Sequence, residues 1–421
     1  MSTTTITRGP ARETERAPAP DLARGFMLLL IAVANTPFYL WGREHAASGT
    51  AHPVDGSTFD RIAQALIITT VDLRVYPMFA FLFGYGMVQL YRRQVAAGTP
   101  ERAGRRLLQR RNRWLLVFGL LHAALLWMGD VLGAYGLAGL LLVALFFRRS
   151  DRTLLVWAGV LTGVLMAMAA LSVVGGYAMA QLPPDSEVTA MMDFGSDDAG
   201  VAEPNYLASI LPRLAFWVLL VVGQGLLMLA VPIMILLAFV AGRRQILEHP
   251  GEYLRLLRGL AAGGIAVGWL GGLPHALAHI GVWDVPDQAM WAFMAVQLAT
   301  GMFGGLGYVA LFGLIGHRIA ARRTAGDAGS AARPAGAVAA VGKRSLSCYL
   351  AQSVLCAPVL SAWGLGLGAD LGSATMALYA IGVWLVIAVL AAWFERSRRR
   401  GPAEVLLRRL VYRGAAGAAR S

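Results

Sequence analysis

The sequence predicts an all-α, polytopic integral membrane protein with about ten transmembrane helices and both termini in the cytoplasm. Three observations carry this. Of 421 residues, 57% are apolar and only 14% charged, where a soluble chain carries about a quarter charged residues; mean hydropathy is +0.58. The apolar residues gather in runs close to the roughly 20 needed for one bilayer crossing. The basic residues fall in short clusters between those runs. Ordinary cytosolic and secreted enzymes are excluded, and the net charge of +13 calls for no nucleic acid, because positive-inside topology accounts for it.

In chain order, residues 1–20 are rich in Thr, Pro, Ala and Arg, lack periodicity and read as a disordered cytoplasmic tail. Residues 21–316 form a first membrane region of about eight spans, near 22–41, 75–91, 114–129, 131–147, 153–174, 214–241, 256–280 and 289–316. The first run is too long for a secretory signal and has no small-residue cleavage site after it. The segment 58–73 (TFDRIAQALIITTVDL) is apolar but carries Asp60, Arg61 and Asp72, and reads as interfacial or re-entrant. The spans at 114–147 form a hairpin with a tight turn around Gly129, Asp130 and Gly133. Residues 317–342, rich in Ala, Gly and Arg, read as a flexible cytoplasmic linker. Residues 343–413 supply two more spans, near 345–363 and 374–394, and an amphipathic tail helix.

Counting charges tests the orientation. With both termini inside, 33 of the 37 Arg and Lys lie on the cytoplasmic side, and only Arg43, Arg61, Arg74 and Arg213 lie elsewhere. The acidic residues divide 10 inside and 14 outside, so the two sides carry +23 and −10. The longest outer connection, 175–213, is acidic and reads as a loop or cap. Cys348 and Cys356 are eight apart in one apolar run, roughly 12 Å along a helix, and do not bridge there.

Polar side chains inside a bilayer cost energy and tend to face a cavity or one another. Asn35 lies roughly 16 Å beyond Arg24 along the first helix, in its outer half, with Pro37 following to kink or end that helix. It reads as a site residue or as an interhelical hydrogen-bonding Asn. His122 and Asp130 are two turns apart on nearly one face, so a carboxylate can orient a basic imidazole; the alternative is a buried His on a carbonyl, with Asp130 capping the next helix. Arg74 opens the second span on the outer side, where a cation needs a partner such as Asp72 or Asp130, or snorkels to headgroups. His275 and His279 share a helical face, but the third and fourth ligands of a metal site are missing, and no metal is expected. His45 and His52 lie in the first outer loop, over a cavity mouth or simply solvated. Arg105, Arg106, Arg110 and Arg111 within RRLLQRRNR can bind the phosphates of an anionic cosubstrate, or anionic lipid headgroups.

Five segments occurring in order, DLARGFMLLLIAVAN, RVYPMFAFLFGYG, GLLHAALLWMGDVLGAYGLAGLLL, GKRSLSCYLAQSVLC and GPAEVLLRRLVYR, resemble the YeiB-like family of bacterial inner-membrane proteins. The resemblance spans nearly the whole chain and implies a multi-pass inner-membrane fold without an assigned activity. In the late motif Ser347 and Cys348 stand where Thr and Asn are common in the family, and no critical hydrogen bond is expected there. A more distant resemblance links this family to transmembrane acyltransferases such as the heparan glucosaminide N-acetyltransferase, which carries an acetyl group from cytoplasmic acetyl-CoA to a sugar amine on the far side. Asn35 matches that family's functional Asn, and His45 falls one residue from its His.

The resemblance implies an acyltransferase moving an acyl group from cytoplasmic acyl-CoA to an extracytoplasmic acceptor. Arg105, Arg106, Arg110 and Arg111 would grip the acyl-CoA. His122 would act as base with Asp130 orienting it, Asn35 would bind the oxyanion, and Arg74 would hold the acceptor or Asp130. A proton-coupled transporter or flippase also suits intramembrane His, Asp and Arg, and a non-catalytic membrane partner is the third class.

Overall fold

In a computed structural model, residues 18–45, 50–183, 199–324 and 332–413 are described. The chain is all-helical; among the described residues the sole β feature is an isolated bridge between His45 and Pro53. Helix α1 (Pro18–Asn35) ends in a 3₁₀ turn, Thr36–Tyr39, followed by α2 (Thr58–Thr70), α3 (Val75–Ala96), α4 (Glu101–Leu125), α5 (Val131–Leu145) and α6 (Asp151–Ala180). Then come α7 (Ile210–Val222), a π turn (Gly223–Leu227), α8 (Ala230–Arg243), α9 (Leu254–His279) and α10 (Met290–Thr324). The chain closes with α11 (Ala332–Lys343), α12 (Ser345–Leu360), α13 (Ser373–Arg396) and α14 (Pro402–Tyr412).

Among the described residues, seven helical stretches are long and apolar enough to cross a membrane, and α5, α8 and α12 are shorter apolar helices. The chain is therefore a multi-pass membrane protein. Helix α4 escapes a hydropathy count because its first half holds the arginines, while its second half from Trp114 is apolar.

Local chemistry sets the boundaries. Asp130 caps α5 by accepting from the Gly133 amide at 2.9 Å, Ser150 caps α6 through Thr153, and Ser57 and Asp60 form a capping box on α2. These caps satisfy amide donors that have no intrahelical acceptor.

Helix α1 runs through the centre, against α3, α10, α11 and α13; α4 pairs with α5, α3 with α8, and α9 with α10. The apolar faces of α6, α9 and α13 remain exposed, as befits surfaces whose solvent is lipid. One end of the bundle gathers the arginine clusters and is called here the basic end; the opposite end, where α1, α4 and α9 finish, is the far end.

Three expectations are corrected. The segment 58–73 is not a separate interfacial piece: α2 leads through a turn at 71–74, with Leu73 at φ +59°, into α3, forming one broken stretch from Thr58 to Ala96. Its charges sit where they are used, Asp60 accepting from the Ala374 amide at 2.8 Å. The apolar run 214–241 is two helices broken by the π turn, within which Gly225 packs close to the Ala134 carbonyl, 2.9 Å from where a Cβ would stand. The stretch 317–342 is helical at both ends, with α11 packed on α1; residues 325–331 lie outside the described residues, as do 1–17 of the tail and 184–198 of the acidic loop.

Candidate functional site

At the far end lies a cavity of about 210 Å³. Its polar lining includes residues from six places: Asn35 at the end of α1, His52 in the loop before α2, Asp72 in the α2–α3 turn, Gln224 in the π turn, His275 on α9 and Gln297 on α10. The His52 loop folds inward because the Val54 amide donates to the Glu44 carbonyl at 2.9 Å and the Gln64 amide holds the Pro53 carbonyl at 2.8 Å. His52 is 1% exposed. Its Nε2 stands 3.4 Å from an Asp72 carboxylate oxygen, yet neither ring nitrogen has a hydrogen-bond partner. His275 Nδ1 bonds the Gln297 side-chain oxygen, and Gln297 in turn donates to the Ile68 carbonyl at 2.6 Å. The His279 ring centroid lies 6.2 Å from that of His52. Three histidines and a carboxylate thus share this end, although among the described residues no three or more His, Cys, Asp or Glu are arranged to hold a metal ion.

The sequence-derived residues fall in different places. His122 and Asp130 do meet, Nδ1 to Oδ2 at 2.7 Å. The other Asp130 oxygen accepts from Gly133 and, at 3.3 Å, from Trp217 Nε1. Gly119 permits this approach, since a Cβ there would collide with Asp130. The His122 ring stands edge-on to Tyr349, 5.3 Å between centroids, and neither His122 nor Asp130 lines this cavity or the larger one at the basic end. The pair fastens α4 to α5 and α7. Arg74 is fully buried, and its guanidinium donates to the carbonyls of Ile68 (3.0 Å), Asp72 and Gly268. It clamps backbone and does not reach for Asp130. His45 bonds the Arg43 carbonyl at 3.0 Å and stands outside the cavity lining. Asn35 is the one residue of that set to line the cavity.

At the basic end a second cavity, of about 350 Å³, is lined by seven cations (Arg24, Arg93, Arg111, Lys343, Arg344, Arg400 and Arg408) and three carboxylates (Asp21, Glu395 and Glu404). Arg111 lies over the Phe83 ring at 5.1 Å with Nη1 buried and unpartnered. Burial pulls its guanidinium down to about 10, and nearby Arg24 adds to the shift. Such a cation gains from an anionic ligand. Of the other three arginines in the cluster, Arg105 pairs with Glu101 at 3.5 Å, Arg106 is exposed and Arg110 half-buried, and none lines the cavity. Glu395 joins Lys343 to Arg344. Contrary to the expectation for the late motif, Ser347 does hold a structural bond: its hydroxyl and the amides of Leu346 and Ser347 all donate to Glu404, tying α14 to the start of α12.

The two cavities approach from opposite ends and share two lining residues, Phe79 and Tyr135. Their rings stack at 4.7 Å and 12°, and the Tyr135 hydroxyl donates to the Tyr76 carbonyl at 2.8 Å. Sequence reasoning missed this pair, because aromatic residues in apolar runs carry no local mark. It also read His52 as a loop residue, although sidedness alone put His52, His275, His279 and Asp72 on one face of the membrane.

Helices of this length define a multi-pass membrane protein, here with one cavity toward each end of the bundle. Residues 241–414 match the family described as a protein of unknown function (DUF418). Over nearly its whole length the chain is similar to the uncharacterised protein YxaH of Bacillus subtilis, at 26% identity across 96% of each chain. It is equally similar to the uncharacterised protein YeiB of Escherichia coli, at 26% identity across 95% of this chain and 97% of that one. A stretch of 142 residues is 32% identical to an uncharacterised 39.9 kDa protein in an amylase 3′ region of Bacillus acidopullulyticus, covering 34% and 37% of the two chains. The chain is thus similar to the YeiB-like proteins over nearly its whole length.

Proposed function

We propose that this protein is a membrane-embedded acyltransferase that carries an acyl group from cytoplasmic acyl-CoA to an extracytoplasmic hydroxyl or amine. The basic end faces the cytoplasm and the protein resides in the inner membrane of a bacterium, where anionic headgroups are further company for its arginines. One observation carries the reading: a cation-lined cavity and a His- and carboxylate-lined cavity meet end to end at a single pair of rings. Arg111 and its neighbours hold the phosphates. In the far cavity His52, with an Asp72 carboxylate oxygen 3.4 Å from its Nε2, takes the proton of the acceptor as the acceptor attacks the thioester carbonyl. The new C–O or C–N bond forms, the C–S bond breaks, and CoA leaves as the thiol once protonated. Asn35 donates a hydrogen bond to the oxyanion. His52 thus replaces His122 as the base, because it borders the space an acceptor would occupy.

Thermal stability of the detergent-purified protein against CoA and acetyl-CoA tests this. A ligand at a hundredfold excess over its dissociation constant stabilises by about 2.7 kcal/mol, and Arg111→Ala is expected to lose most of that gain. No stabilisation by any CoA overturns the reading. A proton-coupled transporter is then favoured by a specific feature, the broken helix at Gly223–Leu227 whose Gln224 lines the far cavity, as substrate sites at discontinuous helices do; flux assays in proteoliposomes decide it.

A further inference from the structure

We propose that Phe79 and Tyr135 form the septum that the transferred group must meet, and that the Phe79 ring sets how long an acyl chain the protein accepts. The inference rests on the acyltransferase reading above. The basic-end cavity changes character along its length. Cations crowd its mouth, whereas Met27, Leu82, Leu115 and Leu132 wall its inner part. An acyl-CoA anchored by its phosphates at the mouth therefore points its acyl end inward, toward Phe79 and Tyr135, because an apolar chain gains by leaving water for an apolar wall. Beyond the rings lies the far cavity with His52 and Asn35. The thioester carbon has to come within reach of that cavity, so whatever follows the carbonyl must fit against or past the stacked pair.

The two rings are held unequally. The Tyr135 hydroxyl is tethered to the Tyr76 carbonyl, and Tyr135 is 1% exposed in a well-packed helix. Phe79 has no such tether and is only partly buried, packed at the edge of the core. Phe79 is thus the member whose size can be changed with least disturbance to the fold. Shortening it joins the two cavities and gives the chain more room.

Dissociation constants for free CoA, acetyl-CoA, butyryl-CoA and octanoyl-CoA, measured on purified wild type, Phe79→Ala, Phe79→Leu and Tyr135→Phe, test the inference. Wild type is expected to favour acetyl-CoA over octanoyl-CoA. Phe79→Ala is expected to tighten octanoyl-CoA relative to acetyl-CoA by about tenfold or more, the scale of a hydrophobic pocket's discrimination by size, with free CoA unchanged. Phe79→Leu should fall between. Tyr135→Phe keeps the ring and loses only the tether, so its chain-length order should match wild type. An unliganded melting temperature near wild type shows that the variants are folded. The same chain-length order in folded Phe79→Ala and Phe79→Leu as in wild type overturns the inference while leaving acyl-CoA binding in place. Wild type that binds octanoyl-CoA as tightly as acetyl-CoA overturns it as well. Absence of binding by every CoA species removes the acyltransferase reading and the inference with it.

Discussion

Asp130 and His52 are both buried at the far end of the bundle, yet they stand in opposite positions energetically. Asp130 receives hydrogen bonds from His122, Gly133 and Trp217. Asp130→Ala would leave three buried donors without an acceptor, and each unsatisfied donor costs about 1–3 kcal/mol. We expect a loss of about 3 kcal/mol or more, read as a lowered melting temperature in detergent. The His52 ring nitrogens make no hydrogen bond and stand only at 3.4 Å from Asp72, so His52→Gln is expected to shift stability by no more than about 1 kcal/mol while abolishing acyl transfer. A His52→Gln protein with full transfer activity would return the role of base to His122. The pairing of His122 and Asp130 is predicted from a helical spacing that the structure does not keep: α4 ends at Leu125 and Asp130 caps α5, so the two meet across the hairpin turn. Its use was not legible, since which cavity a side chain borders depends on helices far away in the chain. The same holds for Arg74, whose position marked it as anomalous. Its partner Gly268 lies 194 residues onward, and backbone carbonyls leave no signature in sequence.

At the scale of elements, the contact between α9 and α10 is built on missing side chains. A Cβ on Gly268 would stand 2.7 Å from the Gly304 Cα, and one on Gly272 would overlap the Arg74 guanidinium. Small residues let helices approach closely where lipid gives no hydrophobic drive to associate. Gly268→Val is therefore expected to destabilise by about 1–3 kcal/mol or more through overpacking. On the same helix, a Cβ at Gly259 meets nothing within 4 Å, so Gly259→Ala should stabilise by roughly 0.5–1 kcal/mol by improving helix propensity. Thermal unfolding of the two variants side by side checks both signs. Opposite signs from two glycines nine residues apart would show that packing, not glycine content, sets the stability of α9. Element boundaries were legible where charge or a cap marks them, as at Asp130 and in the basic tail helix α14. They were hidden in 214–241, where an unbroken apolar run conceals the π turn, and in 58–73, where charges suggested an interface but serve as caps and clamps within a continuous broken stretch.

For the whole molecule, the charge asymmetry and the cavities make one joint statement about sidedness. The proposed mechanism needs the cation-lined cavity in the cytoplasm, where acyl-CoA is, and the positive-inside rule puts the arginine clusters on that same side. The two arguments rest on overlapping residues, since the seven cations of the cavity belong to the clusters counted along the chain. Both fail together if the orientation is reversed. Both native thiols are buried, and their replacement by alanine gives a background for labelling. In that background, a cysteine at the exposed position Arg106 reports the basic end, and one at the exposed position Asp284, in the α9–α10 loop, reports the far end. A charged, membrane-impermeant maleimide added to intact spheroplasts is expected to label Asp284→Cys and spare Arg106→Cys, with the pattern inverted in inside-out vesicles. Labelling of Arg106→Cys from outside would place the basic cavity away from cytoplasmic acyl-CoA, and the acyltransferase mechanism would lose its donor whatever the chemistry of His52.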